Sequence, residues 1–306
     1  MFTLTRRLAL CFTAALALAS CGGSTTQIDP FIAKRFIAFG DELSTFTADG
    51  RKYTTNGLNS DKTAIDCNDS DNRLWIQYVA GLYDFGFPEC PIGTGEQKAL
   101  TRATVGAKSA DLEMQIDAQI EAGGFRDKDL VTVLIGMYDV KELYERYPAE
   151  PKDALLKAAT ARGEFIARQV KRLIARGVPV IVATTPSIGL APYGLLQGSN
   201  NAKLLTDLTS NLNAAVRLNI PNDGRLWGLI AADEWLSQAV SEPSDYNLEN
   251  VTVPACNVAL PDCTTNTIIE GANYQTWLWA DSLRFGVRAH SGFGQIARDL
   301  ANRLPF

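Results

Sequence analysis

The stretch Asp129-Leu130-Val131-Thr132-Val133-Leu134-Ile135-Gly136 constrains the fold more than any other part of this chain. It is apolar almost without a break, rich in β-branched residues and too short for a typical helix. Such a run reads as a strand covered on both faces, and parallel sheets packed between helix layers produce that pattern. Three further runs have the same character: Arg35 to Phe39 leading into Gly40-Asp41, Val178 to Ala183, and Leu226 to Ile230. Amphipathic segments alternate with them. Leu74 to Tyr83 carries a recurring apolar face. Asp111 to Ala122 places Leu112, Ile116 and Ile120 at i, i+4 and i+8 and stops at Gly123-Gly124. Lys152 to Arg176 stops at Gly177, and Leu204 to Leu218 and Gly292 to Leu304 complete the set. The alternation predicts an α/β fold, a three-layer doubly wound parallel sheet. Functional groups in such sheets gather at the carboxyl ends of the strands. The loops after Phe39, Ile135 and Ala183 are therefore the candidates, with a fourth at Asp281 before the last helix.

Composition narrows the classes further. With 306 residues, 46% hydrophobic and 21% charged, the chain has enough apolar mass for a large core and is neither disordered nor collagen-like. It shows no internal repeat and no second domain, so residues 35–306 read as one domain, with 241–273 a long excursion near the site. The net charge is −5, and no more than two Lys or Arg residues stand together. That balance excludes a nucleic-acid partner, which needs a basic face. A single histidine, His290, excludes a His-rich metal centre, and no cofactor is expected. Nothing in the sequence specifies an oligomeric state.

The N-terminus reads as an address. Arg6 and Arg7 precede an apolar stretch from Leu8 to Ala19 that is shorter than the roughly 20 residues a membrane-spanning helix needs. Leu18-Ala19-Ser20-Cys21 followed by Gly22-Gly23 resembles a bacterial lipoprotein signal. The resemblance implies a signal peptide over 1–20, a lipid on Cys21, a tether over 21–34, and anchoring in the cell envelope with outer-membrane sorting. In an exported chain the four remaining cysteines, Cys67, Cys90, Cys256 and Cys263, suit disulfides. Three pairings are open. Proximity in sequence favours Cys67 with Cys90 and Cys256 with Cys263, and neither pair has the spacing of a redox motif.

The candidate loops bring a family into view. Phe39-Gly40-Asp41-Glu42-Leu43-Ser44 resembles the first block of the GDSL/SGNH esterases and lipases. Ala103-Thr104-Val105-Gly106-Ala107 resembles the second block, Gly136-Met137-Tyr138-Asp139 the third, and Asp281-Ser282-Leu283-Arg284 the last. The blocks occur in order over nearly the whole chain after the signal, and they imply the flavodoxin-like SGNH-hydrolase fold. They also imply a role for each position. Glu42 stands at the nucleophilic Ser, Tyr138 at the oxyanion-hole Asn and Arg284 at the general-base His. Gly106, the oxyanion glycine, and Asp281, the acid of the triad, match the family.

Ester hydrolysis by this route needs a hydroxyl nucleophile, a base in hydrogen-bond reach and donors aimed at the developing oxyanion. Glu42 offers no hydroxyl, and an arginine at Arg284 stays protonated and accepts no proton. The sequence therefore predicts a degenerate site, a non-catalytic or strongly impaired envelope lipoprotein that binds an ester, lipid or glycan ligand or a partner. The alternative is an active ester or lipid hydrolase with a non-standard constellation. Ser44 as substitute nucleophile and His290 as displaced base would serve it, although Ser44 also reads as a turn residue and His290 as a non-catalytic histidine. A Glu42–Asp281 pair for glycoside hydrolysis is a further reading. Glu42 and Arg284 replace two side chains that touch in the family, which predicts an ion network of Glu42, Arg284 and Asp281.

Overall fold

The strands β1 (Arg35–Gly40), β2 (Ala99–Thr101), β3 (Asp129–Leu134), β4 (Val180–Ala183) and β5 (Trp227–Ile230) form one parallel sheet in the order β2-β1-β3-β4-β5. This is the flavodoxin-like order, with its switch point between β1 and β3. The computed structural model describes residues 31–221 and 226–303. The signal over 1–20, Cys21 and the tether as far as residue 30 lie outside the described residues. From there the chain docks quickly: Ala33 is buried, and the Lys34 N–H donates to the Lys128 carbonyl at 2.8 Å.

The central strands are apolar because both faces are covered. Every residue of β3 and β4 is buried, as is β1 beyond Arg35. Arg35 opens β1 opposite Asp129 at the start of β3, and the two form a two-pronged ion pair at 2.9 and 2.5 Å. That pair fixes the register, so Phe36, Ile37 and Ala38 fall beside Leu130, Val131 and Thr132. The helices are α1 (Trp75–Gly81), α2 (Ser109–Glu121), α3 (Met137–Glu145), α4 (Lys152–Ile174), α5 (Pro192–Leu196), α6 (Ser199–Asn219), α7 (Ala232–Ser241) and α8 (Val287–Arg303). They fall into two sets: α4 packs along α6 and against α2 and α3, whereas α1 packs on α8. Leu155, Ala159, Ile166, Val170 and Leu173 form the buried stripe of α4, and Asp153 and Lys171-Arg172 lie where the helix dipole favours each charge.

Three elements depart from the sequence reading. Strand β2 went unread, because three residues with one fully buried side chain carry no visible period. Helix α8 begins at Val287, five residues before the expected Gly292, so His290 sits in its first turn. The excursion over 241–273 contains β6 (Asn250–Pro254), which pairs in parallel with β7 (Trp277–Trp279). Both disulfides, Cys67–Cys90 and Cys256–Cys263, are formed in the favoured pairing.

Candidate functional site

The loop after β1 is set by Gly40. Its φ is +139°, and a Cβ there would stand 1.9 Å from the Leu134 carbonyl oxygen, so only glycine lets β1 leave the sheet so close to β3. Gln115 of α2 clamps this turn, accepting from the Gly40 N–H at 2.9 Å and donating to the Gly40 carbonyl at 2.8 Å. Asp41 then accepts from the Leu43 N–H at 3.0 Å and caps a one-turn 3-10 helix, Glu42–Ser44. The turn points the Glu42 side chain inward, where it is fully buried.

Three other segments converge on Glu42. Tyr138 enters from the start of α3, directly beyond β3. Gly106 lies in the loop between β2 and α2. Arg284 comes from the turn after β7, where Asp281 accepts from the N–H groups of Leu283 at 2.8 Å and Arg284 at 2.7 Å. The site thus straddles the carboxyl ends of β1 and β3, at the switch point of the sheet.

The contacts form a closed network. One Glu42 carboxylate oxygen, Oε1, accepts from Arg284 Nε at 2.7 Å and from the Tyr138 hydroxyl. The other, Oε2, accepts from the Gly106 N–H at 2.9 Å. Arg284 donates from Nη1 to Asp281 Oδ2 at 2.5 Å and from Nη2 to the Tyr138 oxygen at 3.1 Å, and its guanidinium lies 6.0 Å from the centre of the Tyr53 ring. The ion network expected of Glu42, Arg284 and Asp281 is present, and Tyr138 and Gly106 complete it. All five sequence-selected positions meet.

The electrostatics follow from burial against pairing. Burial alone would lower the basicity of Arg284, but the Asp281 and Glu42 carboxylates outweigh it and hold the guanidinium charged beyond its ordinary range. Burial, followed by the Glu42 charge, raises the Tyr138 phenol, so it remains a donor. Asp41 is raised well above the usual carboxylate range by burial and then by Glu42 next to it. Arg284 thus serves two carboxylates, Glu42 and Asp281, while Asp41 and Asp139 nearby are both raised by burial.

The two residues considered as substitutes for the triad are occupied elsewhere. Ser44 is buried; its Oγ accepts from the Trp75 indole N–H at 3.1 Å and its carbonyl accepts from the Thr101 hydroxyl at 2.7 Å. His290 is buried too, and its Nδ1 faces the Trp75 N–H at 3.4 Å. Burial and then the charge of Lys52 push its imidazole down to about 3, so it is neutral.

Sequence reasoning missed the residues that hold the loops. Asp139 accepts from the Ser109 N–H and hydroxyl at 2.7 and 2.6 Å and from Arg162 at 3.1 Å, tying α3 to the start of α2 and to α4. Gln115 and Tyr53 were also unread. Ser109 beginning a helical pattern was the available signal for the first; nothing local marked the other two. Among the described residues no cluster of His, Cys, Asp or Glu could hold a metal ion, and no helix is long and apolar enough to cross a membrane.

No protein-family model matches the chain, and no curated protein matches it in sequence. Among solved structures, a member of the lipolytic G-D-S-L family from Veillonella parvula is similar, with a TM-score of 0.44 and 10% identity over 88% of this chain and 99% of that one. The acetyl xylan esterase AlAXEase gives 0.44 and 13% over 87% and 97%. The acetylxylan esterase Axe2 from Geobacillus stearothermophilus gives 0.45 and 15% over 89% and 95%. With identities this low and TM-scores below 0.5, the likeness assigns no role to any residue here.

Proposed function

We propose that this chain is an envelope lipoprotein whose domain keeps the layout of a GDSL/SGNH esterase site in a form closed to ester hydrolysis, and that it works by binding a ligand or partner. One observation carries the reading. The Glu42 carboxylate accepts from the Gly106 N–H, the Tyr138 hydroxyl and Arg284 together. The first two are the donors that an oxyanion hole would aim at a substrate, and the third stands where the general base would be. A resident anion already occupies them, and it is held by a cation that cannot act as a base.

Each step of acyl transfer then lacks its group. Glu42 has no hydroxyl to attack with, and Arg284 is charged and accepts no proton. Ser44 and His290 are buried and engaged with Trp75. Members of such a triad act as a unit, so loss of nucleophile and base together removes nearly all of its contribution.

The test is turnover of short-chain and long-chain nitrophenyl esters by wild type beside a Glu42→Ser, Tyr138→Asn, Arg284→His triple variant. Wild type is expected to be silent and the triple variant to gain hydrolysis. Wild-type turnover, with a fluorophosphonate labelling Ser44, would establish the alternative, an active hydrolase with a non-standard constellation. The anchoring part is tested separately: Cys21→Ser should abolish lipid labelling and release the chain from the membrane fraction.

A further inference from the structure

A cleft of about 310 Å³ opens beside the N-terminal end of α8, away from the residues of the Glu42–Arg284 network. Its walls include Arg288 and Ser291 of α8, Tyr78 of α1, Asp71 and the pair Gln275-Thr276 ahead of β7. Arg288 makes no hydrogen bond or ion pair among the described residues, and its Nε is buried without a partner. The Nε of Arg298 further along the same helix is buried without a partner as well, so what bears on the cleft is the rest of the Arg288 guanidinium, whose two Nη groups are neither buried nor bonded among the described residues and can meet a ligand. The first turn of α8 also carries no acidic residue. Its positive end therefore adds to the Arg288 charge.

The opposite wall has another character. Asp71 accepts from Gln275 Nε2 at 3.2 Å and from the Ser70 hydroxyl at 3.4 Å, which fixes its carboxylate while leaving acceptor capacity. Thr276 donates its hydroxyl to Glu249 at 2.6 Å and can only accept from a ligand. The Tyr78 and Ser291 hydroxyls have no partner among the described residues. The Tyr78 ring lies hard against α8: a Cβ on Gly294 would come within 2.5 Å of it.

We propose that this cleft binds a hydroxylated carboxylate of monosaccharide size, a sugar acid. The carboxylate pairs two-pronged with Arg288, where nothing else competes for the guanidinium. The hydroxyls meet Asp71, Thr276, Tyr78 and Ser291, groups that accept from or donate to a polyol and have little to offer an acyl chain. A phosphate dianion fits less well, because the Asp71 carboxylate repels a second negative charge. The volume is at the small end of ligand sites.

The experiment is calorimetric titration of the full chain with glucuronate, glucose and acetate. Glucuronate is expected to saturate, with glucose and acetate each about tenfold weaker or more, since each lacks half of the recognition. Arg288→Gln should weaken glucuronate by about tenfold or more, and Asp71→Asn by less. Because Arg288 makes no bond in the fold, its variant should unfold at the wild-type temperature, which checks that the site alone has changed. Absence of saturation by glucuronate, an unchanged affinity in Arg288→Gln, or equal binding of acetate or glucose overturns the proposal.

Discussion

Arg284 and Arg288 stand four residues apart in sequence, and both are partly buried. Arg284 meets two carboxylates and a phenol. Arg288 meets no polar group of its own chain among the described residues. Burial is therefore a poor guide to what a cation does, and the balance of charge around it is a better one. A guanidinium whose donors are filled by its own chain is spent on the fold. One whose donors are empty is available to a ligand.

Substitution should separate the two sharply. Arg284→Met would strand the fully buried Glu42 carboxylate without its cation and should cost about 3–5 kcal/mol by urea denaturation. Arg288→Met breaks no side-chain hydrogen bond or ion pair and keeps an unbranched stem, so it should stay within about 0.5 kcal/mol of wild type. A Glu42→Gln, Arg284→Met double variant should recover much of the first loss, because the stranded charge leaves with its partner. Equal costs at Arg284 and Arg288 would collapse the comparison.

A second contrast lies beneath the site. The Glu42 network keeps its cation charged by pairing, whereas the imidazole of His290, buried beside Lys52, is kept neutral. Lys52 itself donates to the carbonyls of Cys67 and Asn72, and burial pushes it down to about 8, with Asp69 and Asp66 opposing. His290 titrates near 6.5 when unfolded and near 3 when folded, so the unfolded chain takes up the proton first. Its share of stability is complete above pH 6.5 and declines as the pH falls toward 3. Between pH 6.5 and 4 that decline is about 3 kcal/mol. His290→Asn, which keeps an acceptor for the Trp75 N–H, should flatten the acid limb of the stability profile relative to wild type. Parallel profiles for the two proteins would mean that His290 is solvated.

The parts of this molecule legible in sequence are those written in contiguous residues. β3 was readable because both faces are covered and every residue is apolar or buried. Glu42, Tyr138 and Arg284 were readable because each follows a strand end in a recognisable block. Their mutual contact followed from chemistry, since opposite charges at touching positions pair. β2 was not readable: it earns its place by hydrogen bonding to β1, with Phe36 beside Ala99, rather than by a pattern of its own. The helix expected from Gly292 starts five residues earlier, at Val287. Gly292 and Gly294, inside it, are packing positions: a Cβ on Gly292 would meet the Trp235 ring at 2.5 Å, as one on Gly294 would meet Tyr78. A glycine that admits a neighbouring ring cannot be told from one that ends a helix until the neighbour is known. The same holds for Gln115, whose partner Gly40 is 75 residues away.

The smallest effect probes an acid that the network does not satisfy. Asp41 is buried next to Glu42, and both burial and that neighbour raise its carboxyl above the ordinary value of 3.8. A carboxyl raised on folding contributes stability at low pH and loses it as the pH climbs through the folded value. At neutral pH keeping Asp41 buried beside Glu42 is therefore a burden, in contrast to Glu42, whose charge Arg284 meets. Asp41→Asn keeps an oxygen to accept from the Leu43 N–H and removes the charge. It should be more stable than wild type by about 1 kcal/mol at neutral pH, and the gap should close as the pH falls toward 4. The sign is opposite to that of His290, so denaturation of both variants across the same pH range tests the two assignments together. An Asp41→Asn variant less stable than wild type at neutral pH, by an amount that does not change with pH, would show that Asp41 acts as a turn-forming acceptor whose charge the site tolerates.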